Sequence, residues 1–366
     1  RQEDANRTMR NAIVLILLLA GGITAFAILA AYPLMQLVGA KEDTIGLATS
    51  YFRIISAGIP LNALTMAINA AQRGLGNTRV TMLVNITSNL FNLLFCYLLI
   101  QGRFGFPQLG VNGAAVAACI GFVVGFVLCI ISVTWKGTFL KLRVRDSWRL
   151  DKEIVRGITK IGGNAVLEQI ALRIGFMLFA RFVADLGTME FATHTFASQF
   201  LQITFTMGDG IGIAGTSLVG QNLGKKRPDL SMLFGKAAQR MALTVSMILL
   251  TFIIVLRYPL FRLFTSDPDI LALGAQIMIM VAIFQPFQTS SVVISGCLRG
   301  AGDTRFVAIT MMACVTVIRP VVTYLMIYVF EIGLLGAWCA MLFDMILRLG
   351  ICYWRFSSGK WFGIKV

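Results

Sequence analysis

The stretch "QRGLGNTR" at 72–79 returns near the other end of the chain as "CLRGAGDTR" at 297–305. Arg73 and Arg299 stand 226 positions apart. A Gly-x-Gly phrase between arginines suits either a phosphate cradle or a short turn between two buried helices. The cradle reading lacks the third glycine of Gly-x-Gly-x-x-Gly, and the phrase follows an apolar helical run rather than a strand. Holding the same offset extends the match backwards. Tyr32-Pro33-Leu34 falls on Tyr258-Pro259-Leu260, Leu37 on Leu263, Asp43 on Asp269 and Pro60 on Pro286. After a three-residue slip, "LGVNGAA" at 109–115 falls on "IGLLGAW" at 332–338. The chain is therefore an internal repeat. Both copies run the same way, because Arg73 and Arg299 occur at corresponding turns.

Composition says what surrounds the repeat. Of 366 residues, 57% are hydrophobic and 13% charged, against about 25% charged in soluble domains. Runs such as 11–31 and 241–256 carry no charge. A helix crossing the bilayer needs about 20 mostly apolar residues. On that criterion ten spans are expected, at 11–32, 45–70, 80–101, 109–134, 156–184, 189–219, 236–258, 270–297, 304–330 and 333–356. The runs are continuous rather than alternating, so helices are favoured over barrel strands. The expected fold is an all-α polytopic membrane protein of two helical-bundle lobes related by a parallel pseudo-two-fold repeat.

The net charge of +15 gathers in alternate connections. The turns 33–44, 102–108, 185–188, 259–269 and 331–332 hold only Lys41, Arg103 and Arg262 among the basic residues. The positive-inside rule then places the other connections and both ends of the chain in the cytoplasm of a multi-pass cell-membrane protein. This distribution explains the basic excess without nucleic acid. Residues 1–134 form the expected N-terminal lobe and 156–366 the C-terminal lobe. The basic stretch 135–155 joins them, either as a helix on the inner leaflet or as a solvated linker. The spans 156–184 and 189–219 have no counterpart in the first half, so two further helices are expected before residue 1, giving six plus six. Seven cysteines are scattered through apolar segments without a Cys-x-x-Cys pair, and there is one histidine, His194. These supply no structural metal cluster and no constellation for an enzyme.

Several phrases together are similar to the multidrug and toxic compound extrusion family of transporters: "QRGLGNTR", "GFPQLGVNGAAVA" (105–117), "GIGIAGTSLVGQNLGKKRPDL" (210–230), "CLRGAGDTR" and "RFSSGKW" (355–361). The resemblance covers essentially the whole chain. It implies twelve helices in two lobes, of which ten are present. It also implies export of small organic, often cationic compounds in exchange for Na+ or H+, with no cofactor and with a single copy acting alone. Binding is then expected between the lobes, which would rock between inward- and outward-open states. Two positions depart from the family. Cys96 stands where some members carry an acid in "N-x-x-x-D-Y", and Gln288 is near the place of an acid in the sodium-linked branch. The coupling ion stays open between the two.

Candidate site residues follow from burial costs. Transporter sites are expected at helices interrupted in corresponding places of the two halves. Pro60 and Pro286 fit, as helix kinks at a cavity. Asn62 and Asn69 in one half, and Gln285 and Gln288 in the other, are candidate cavity residues, with Gln199. The alternative is helix packing, with polar residues as interhelical glue. Acids inside a bilayer are costly and functional by default. Glu168 and Asp209, equally far from the turn near 188, are candidates for a shared cation or substrate site. Arg319 and Asp344, flanking the turn at 331–332, are expected to pair, as structure or as switch, with Arg348 a second possible partner one turn on. The leading function is an ion-coupled exporter. The alternative is a flippase for a lipid-linked oligosaccharide, which calls for free arginines deep in the spans, where only Arg173 and Arg319 are expected.

Overall fold

The computed structural model describes residues 2–39, 41–134, 150–265 and 267–364. The linker expected at 135–155 therefore lies outside the described residues up to 149. Two compact units divide the chain, Arg1–Ile158 and Thr159–Val366.

The first unit contains α1 (Gln2–Leu29), α2 (Ala31–Leu37), α3 (Ile45–Gly74), α4 (Thr78–Gln101) and α5 (Gly110–Thr134). α5 packs on both α3 and α4, and α1 packs on α3. Glycine and small residues make this seam. A Cβ on Gly113 would lie 2.7 Å from the Leu99 carbonyl oxygen, and one on Gly121 would lie 3.1 Å from that of Ser88. Close backbone approach of this kind drives helix association where lipid is as apolar as leucine. Asp151 ties the start of α6 back to α1, pairing with Arg7 at 2.6 Å and donating its backbone N–H to Asn11 at 2.8 Å.

The second unit contains most of α6 (Lys152–Ala184), then α7 (Thr188–Gly224), α8 (Pro228–Arg262), α9 (Pro268–Gly300), α10 (Thr304–Met311), α11 (Arg319–Tyr324) and α12 (Leu334–Ser357). α9 is its centre and packs against α7, α8 and α12. The α7–α9 crossing is again built on small residues. Thr216 donates to the Gly296 carbonyl at 2.8 Å, and a Cβ on Gly220 would lie 2.9 Å from the Gly300 oxygen. α10 and α11 belong to one continuous helix, with π-helical turns at Met312–Ile318 and Leu325–Val329 on either side of α11.

Among the described residues, eight helices are long and apolar enough to cross a membrane. α6 and α7 fill the two remaining places of the ten expected spans. They are 33 and 37 residues long, hence about 50 and 55 Å, but charged and hydroxyl side chains lower their hydropathy.

The repeated turn is the same object twice. Gly76 and Gly302 take φ of 86° and 87°. The Asn77 N–H reaches the Gln72 carbonyl at 2.9 Å, and the Asp303 N–H reaches that of Leu298 at 3.0 Å. This is the six-to-one closure of a left-handed helix end. Side-chain capping by Asn77 and Asp303 is the natural expectation for these residues, but neither side chain caps its helix. Both are drawn sideways. Asp303 accepts from Arg355 Nε at 2.7 Å, while Asn77 donates to Gln72 at 3.3 Å, which in turn donates to Ser132 at 3.3 Å. Under the repeat offsets Ser132 is the counterpart of Arg355. Each half thus straps its turn to its last helix, one half with charges and the other with amides. The α7–α8 turn repeats the closure a third time, with Lys226 at φ 58° where the others have glycine.

Candidate functional site

Polar side chains are concentrated inside the second unit, along α9 and the helices facing it. Gln285, Gln288, Thr289, Ser290, Ser291 and Ser295 are all buried on α9. Pro60 and Pro286 lie inside helices that continue through them without a break. Both helices stay helical on either side of the proline, which lacks the N–H that would close its own turn. Pro286 does line an open groove of about 460 Å³ between α8, α9 and α12, with Gln239, Phe287, Ser290 and Tyr353.

The irregular helix is instead the one carrying Arg319. Pro320 has no N–H to return to the preceding turn, and the helix widens into π geometry just before it. The Val315 carbonyl in that widened turn is covered by Gly175 of α6, so closely that no Cβ fits, and Thr316 donates to the Ala171 carbonyl at 2.7 Å. Single π turns inside helices are frequent at functional sites. The signal was present in the sequence as "VIRPVV", where proline follows a buried arginine.

Arg319 and Asp344 form an ion pair across this seam. Arg319 Nε and Nη2 both donate to Asp344 Oδ2, at 3.1 and 2.5 Å, with the two residues 1% and 0% exposed. Asp344 Oδ1 and Arg319 Nη1 have no hydrogen-bond partner among the described residues. Arg348 turns to the Met311 sulfur at 3.5 Å rather than bonding Asp344.

Glu168 and Asp209 are not brought together. Glu168 is buried on α6 and pairs with Arg299, the first arginine of the repeated turn. It thus belongs to the end of the unit that carries the Arg299–Arg305 turn. Asp209 is exposed on α7. Equal chain distance from a turn does not set the rotation of either helix about its axis. Of the other candidates, Asn69 is buried within the first unit, donating to Asn85 at 3.4 Å and accepting from Cys129 at 3.5 Å. Gln285 donates to the Val281 carbonyl at 2.9 Å, and the side-chain oxygens of Gln285 and Gln288 are buried without a partner among the described residues. Asn62 is half-buried, and Gln199 is exposed. The buried pairs Asn69–Cys129 and Ser295–Cys352 occupy equivalent places of the two halves.

The profile of MatE, the multidrug and toxic compound extrusion family, matches residues 1–98 and 165–325. The chain belongs to the MatE family. It is 31% identical over 319 residues to the probable multidrug resistance protein NorM of Thermotoga maritima, covering 86% of this chain and 67% of that protein. It is 28% identical over 339 residues to the uncharacterized transporter YisQ of Bacillus subtilis, covering 93% and 74%. A solved outward-facing structure of a multidrug resistance MATE family transporter superposes with a TM-score of 0.90 at 21% identity, over 98% of this chain and 80% of that one. That likeness shows the fold. The MatE chain is an all-α polytopic membrane transporter, not an enzyme, and the buried ion pairs are to be understood within a transport protein.

Proposed function

We propose that this chain is a secondary-active antiporter that exports amphipathic, often cationic compounds in exchange for sodium ions or protons, by alternating access. The observation that carries the reading is its MatE membership together with its likeness, over 86% of its length, to a relative named for multidrug resistance. The buried charges support it. Glu168 is a buried carboxylate whose partner, Arg299, is 38% exposed at its side chain. A proton or a small cation at Glu168 would compete with that guanidinium and free it towards water. Arg299 ends α9 and begins the turn strapped through Asp303 to Arg355, so ion binding at Glu168 is felt at the helix end. Asp209, exposed on α7, offers a carboxylate to a cationic substrate, and Asn62 and Gln199 offer accessible amides. The charge pattern supports a cell-membrane location with the arginine-rich turns, both ends of the chain and the 135–155 linker on the cytoplasmic side. A flippase for a lipid-linked glycan is not favoured, since several relatives are named for multidrug resistance, the charge of Arg319 is matched by Asp344 and Arg173 is exposed on α6.

The test is efflux of a cationic dye from proteoliposomes with sodium and proton gradients imposed separately. One gradient is expected to drive efflux. Glu168→Gln, checked for folding, is expected to lose the gradient-driven component at least tenfold while retaining dye binding. Unchanged coupling in Glu168→Gln would remove that carboxylate from the coupling site, and dye movement under neither gradient would reject the antiporter reading.

A further inference from the structure

We propose that the C-terminal unit binds a small monovalent inorganic anion, a halide, at the buried cluster of Arg319, Asp344 and Arg348. The inference starts from charge. Two guanidinium groups and one carboxylate lie there, at 1%, 9% and 0% exposure. Arg348 lies one helical turn beyond Asp344 on α12, and Asp344 holds Arg319, so the carboxylate brings the two guanidinium groups to one place. The one carboxylate gives an oxygen to Arg319 alone, so the cluster carries one positive charge in excess. The neighbouring ionisable groups do not supply its counter-charge. Cys314 and Cys352 are buried thiols, and Glu168 is already paired with Arg299.

Hydrogen bonding points the same way. Arg319 Nη1 and Arg348 Nε are buried N–H donors with no partner among the described residues. Buried guanidinium donors are almost always satisfied, and charge-assisted acceptors satisfy them best. A cation would find one free acceptor, Asp344 Oδ1, but would meet the excess positive charge of two guanidinium groups against one carboxylate. A single negative charge meets two unsatisfied donors and neutralises the cluster.

The internal repeat serves as a control on whether the fold needs these charges. Under the offset that sets 109–115 on 332–338, Asp344 and Arg348 correspond to Gly121 and Gly125. In the first unit those glycines close α5 onto α4. A Cβ on Gly121 would lie 3.1 Å from the Ser88 carbonyl oxygen and one on Gly125 3.2 Å from the Ser88 hydroxyl, while Ser88 Oγ donates to the Gly121 carbonyl at 2.7 Å. The same seam is thus built in one half with no charged side chain, by two glycines of α5 and a serine hydroxyl of α4. In the other half the facing helix opens into π turns on both sides of Arg319, and charged groups fill the space. Packing does not require the cluster, and burying charge is costly. A bound anion would offset that cost.

The test uses binding and stability rather than transport, so its outcome is independent of the exporter reading. The full chain is purified in detergent in sodium gluconate. It is then titrated with sodium chloride or sodium bromide, at constant sodium and ionic strength, while the unfolding midpoint is followed. Both halides are expected to raise the midpoint saturably, and sulfate, a divalent anion, is not. Arg348→Gln removes the excess charge and leaves the Arg319–Asp344 pair intact. It is expected to lose the saturable halide response without lowering the midpoint in gluconate. If that variant does not fold, anomalous scattering from crystals of the unmodified protein grown in bromide decides, with a bromide peak expected in contact with both Arg319 and Arg348. Equal midpoints in chloride and gluconate, a saturable response that survives in Arg348→Gln, or bromide absent from the cluster would each overturn the proposal.

Discussion

Replacing Asp344 by Asn leaves Arg319 charged, fully buried and without its counter-ion. The wild-type pair makes two charge-assisted hydrogen bonds, at 3.1 and 2.5 Å, to a single carboxylate oxygen. Bonds to charged groups contribute about 1.5–3 kcal/mol each, and breaking a buried pair by removing one member costs about 3–5 kcal/mol. Asp344→Asn is expected near the lower end, about 3 kcal/mol, because the amide oxygen still accepts. Arg319→Met is expected at about the same cost, since it strands the carboxylate instead. Replacing both, with Arg319→Met and Asp344→Leu, removes the desolvation penalty with the attraction and fills the space with apolar volume. The double variant is expected to cost less than either single one, and to lie within about 1 kcal/mol of the wild type. Reversible unfolding in mixed micelles, followed by tryptophan fluorescence, gives the free energies, and the double-mutant cycle gives the coupling. A coupling below about 1 kcal/mol, or a double variant as damaged as the sum of the singles, would refute the view that this pair is energetically one unit. If the double variant folds but gradient-driven efflux falls, the pair serves transport rather than assembly.

The repeat supplies matched comparisons. Gly300 is pressed against α7, where a Cβ would lie 2.8 Å from the Thr216 Cα, whereas its counterpart Gly74 has open space. Gly300→Ala is therefore expected to lower the thermal midpoint by an amount corresponding to about 1–3 kcal/mol of overpacking, and Gly74→Ala to leave it unchanged or raise it slightly. Gly76→Ala and Gly302→Ala, both at left-handed φ, are expected to cost about 1–2 kcal/mol each and to match one another. Asp303→Ala breaks the strap to Arg355 and is expected to cost about 1 kcal/mol, discounted because Arg355 is partly solvated, with Asn77→Ala costing less. The same fluorescence melts check all of these, and inverted rankings would show that the two turns are not mechanically equivalent.

Much of the architecture was legible because it depends on short-range rules. Apolar run length gave ten long helices, and the two Gly-x-Gly phrases gave turns, while the structure decided that the second glycine of each, Gly76 and Gly302, is the left-handed one. The pairing of Arg319 with Asp344 was accessible too, since both flank one short turn and antiparallel neighbours bring equal chain distances to equal depth. The same arithmetic applied to Glu168 and Asp209 does not set rotation, and α6 and α7 turn these side chains to different surroundings. The prolines at 60 and 286 lie inside helices that stay α-helical on both sides, while Pro320, next to a buried charge, marks the helix that departs from α geometry.

The amino-acid sequence by itself determined the membrane solvent, the helices, the duplicated turn and the membership of the chain in a transporter family, because hydropathy, glycine conformations and repeat offsets are local properties read along the chain. Beyond the Arg319–Asp344 pair, only the tertiary structure decided which charge meets which. Arg299 finds Glu168 across 131 positions, and Arg319 opens a π turn onto α6. Such partners depend on how each helix is rotated and tilted about its axis, and that rotation is set by close contacts between glycines, carbonyls and hydroxyls on neighbouring helices rather than by any pattern within one helix.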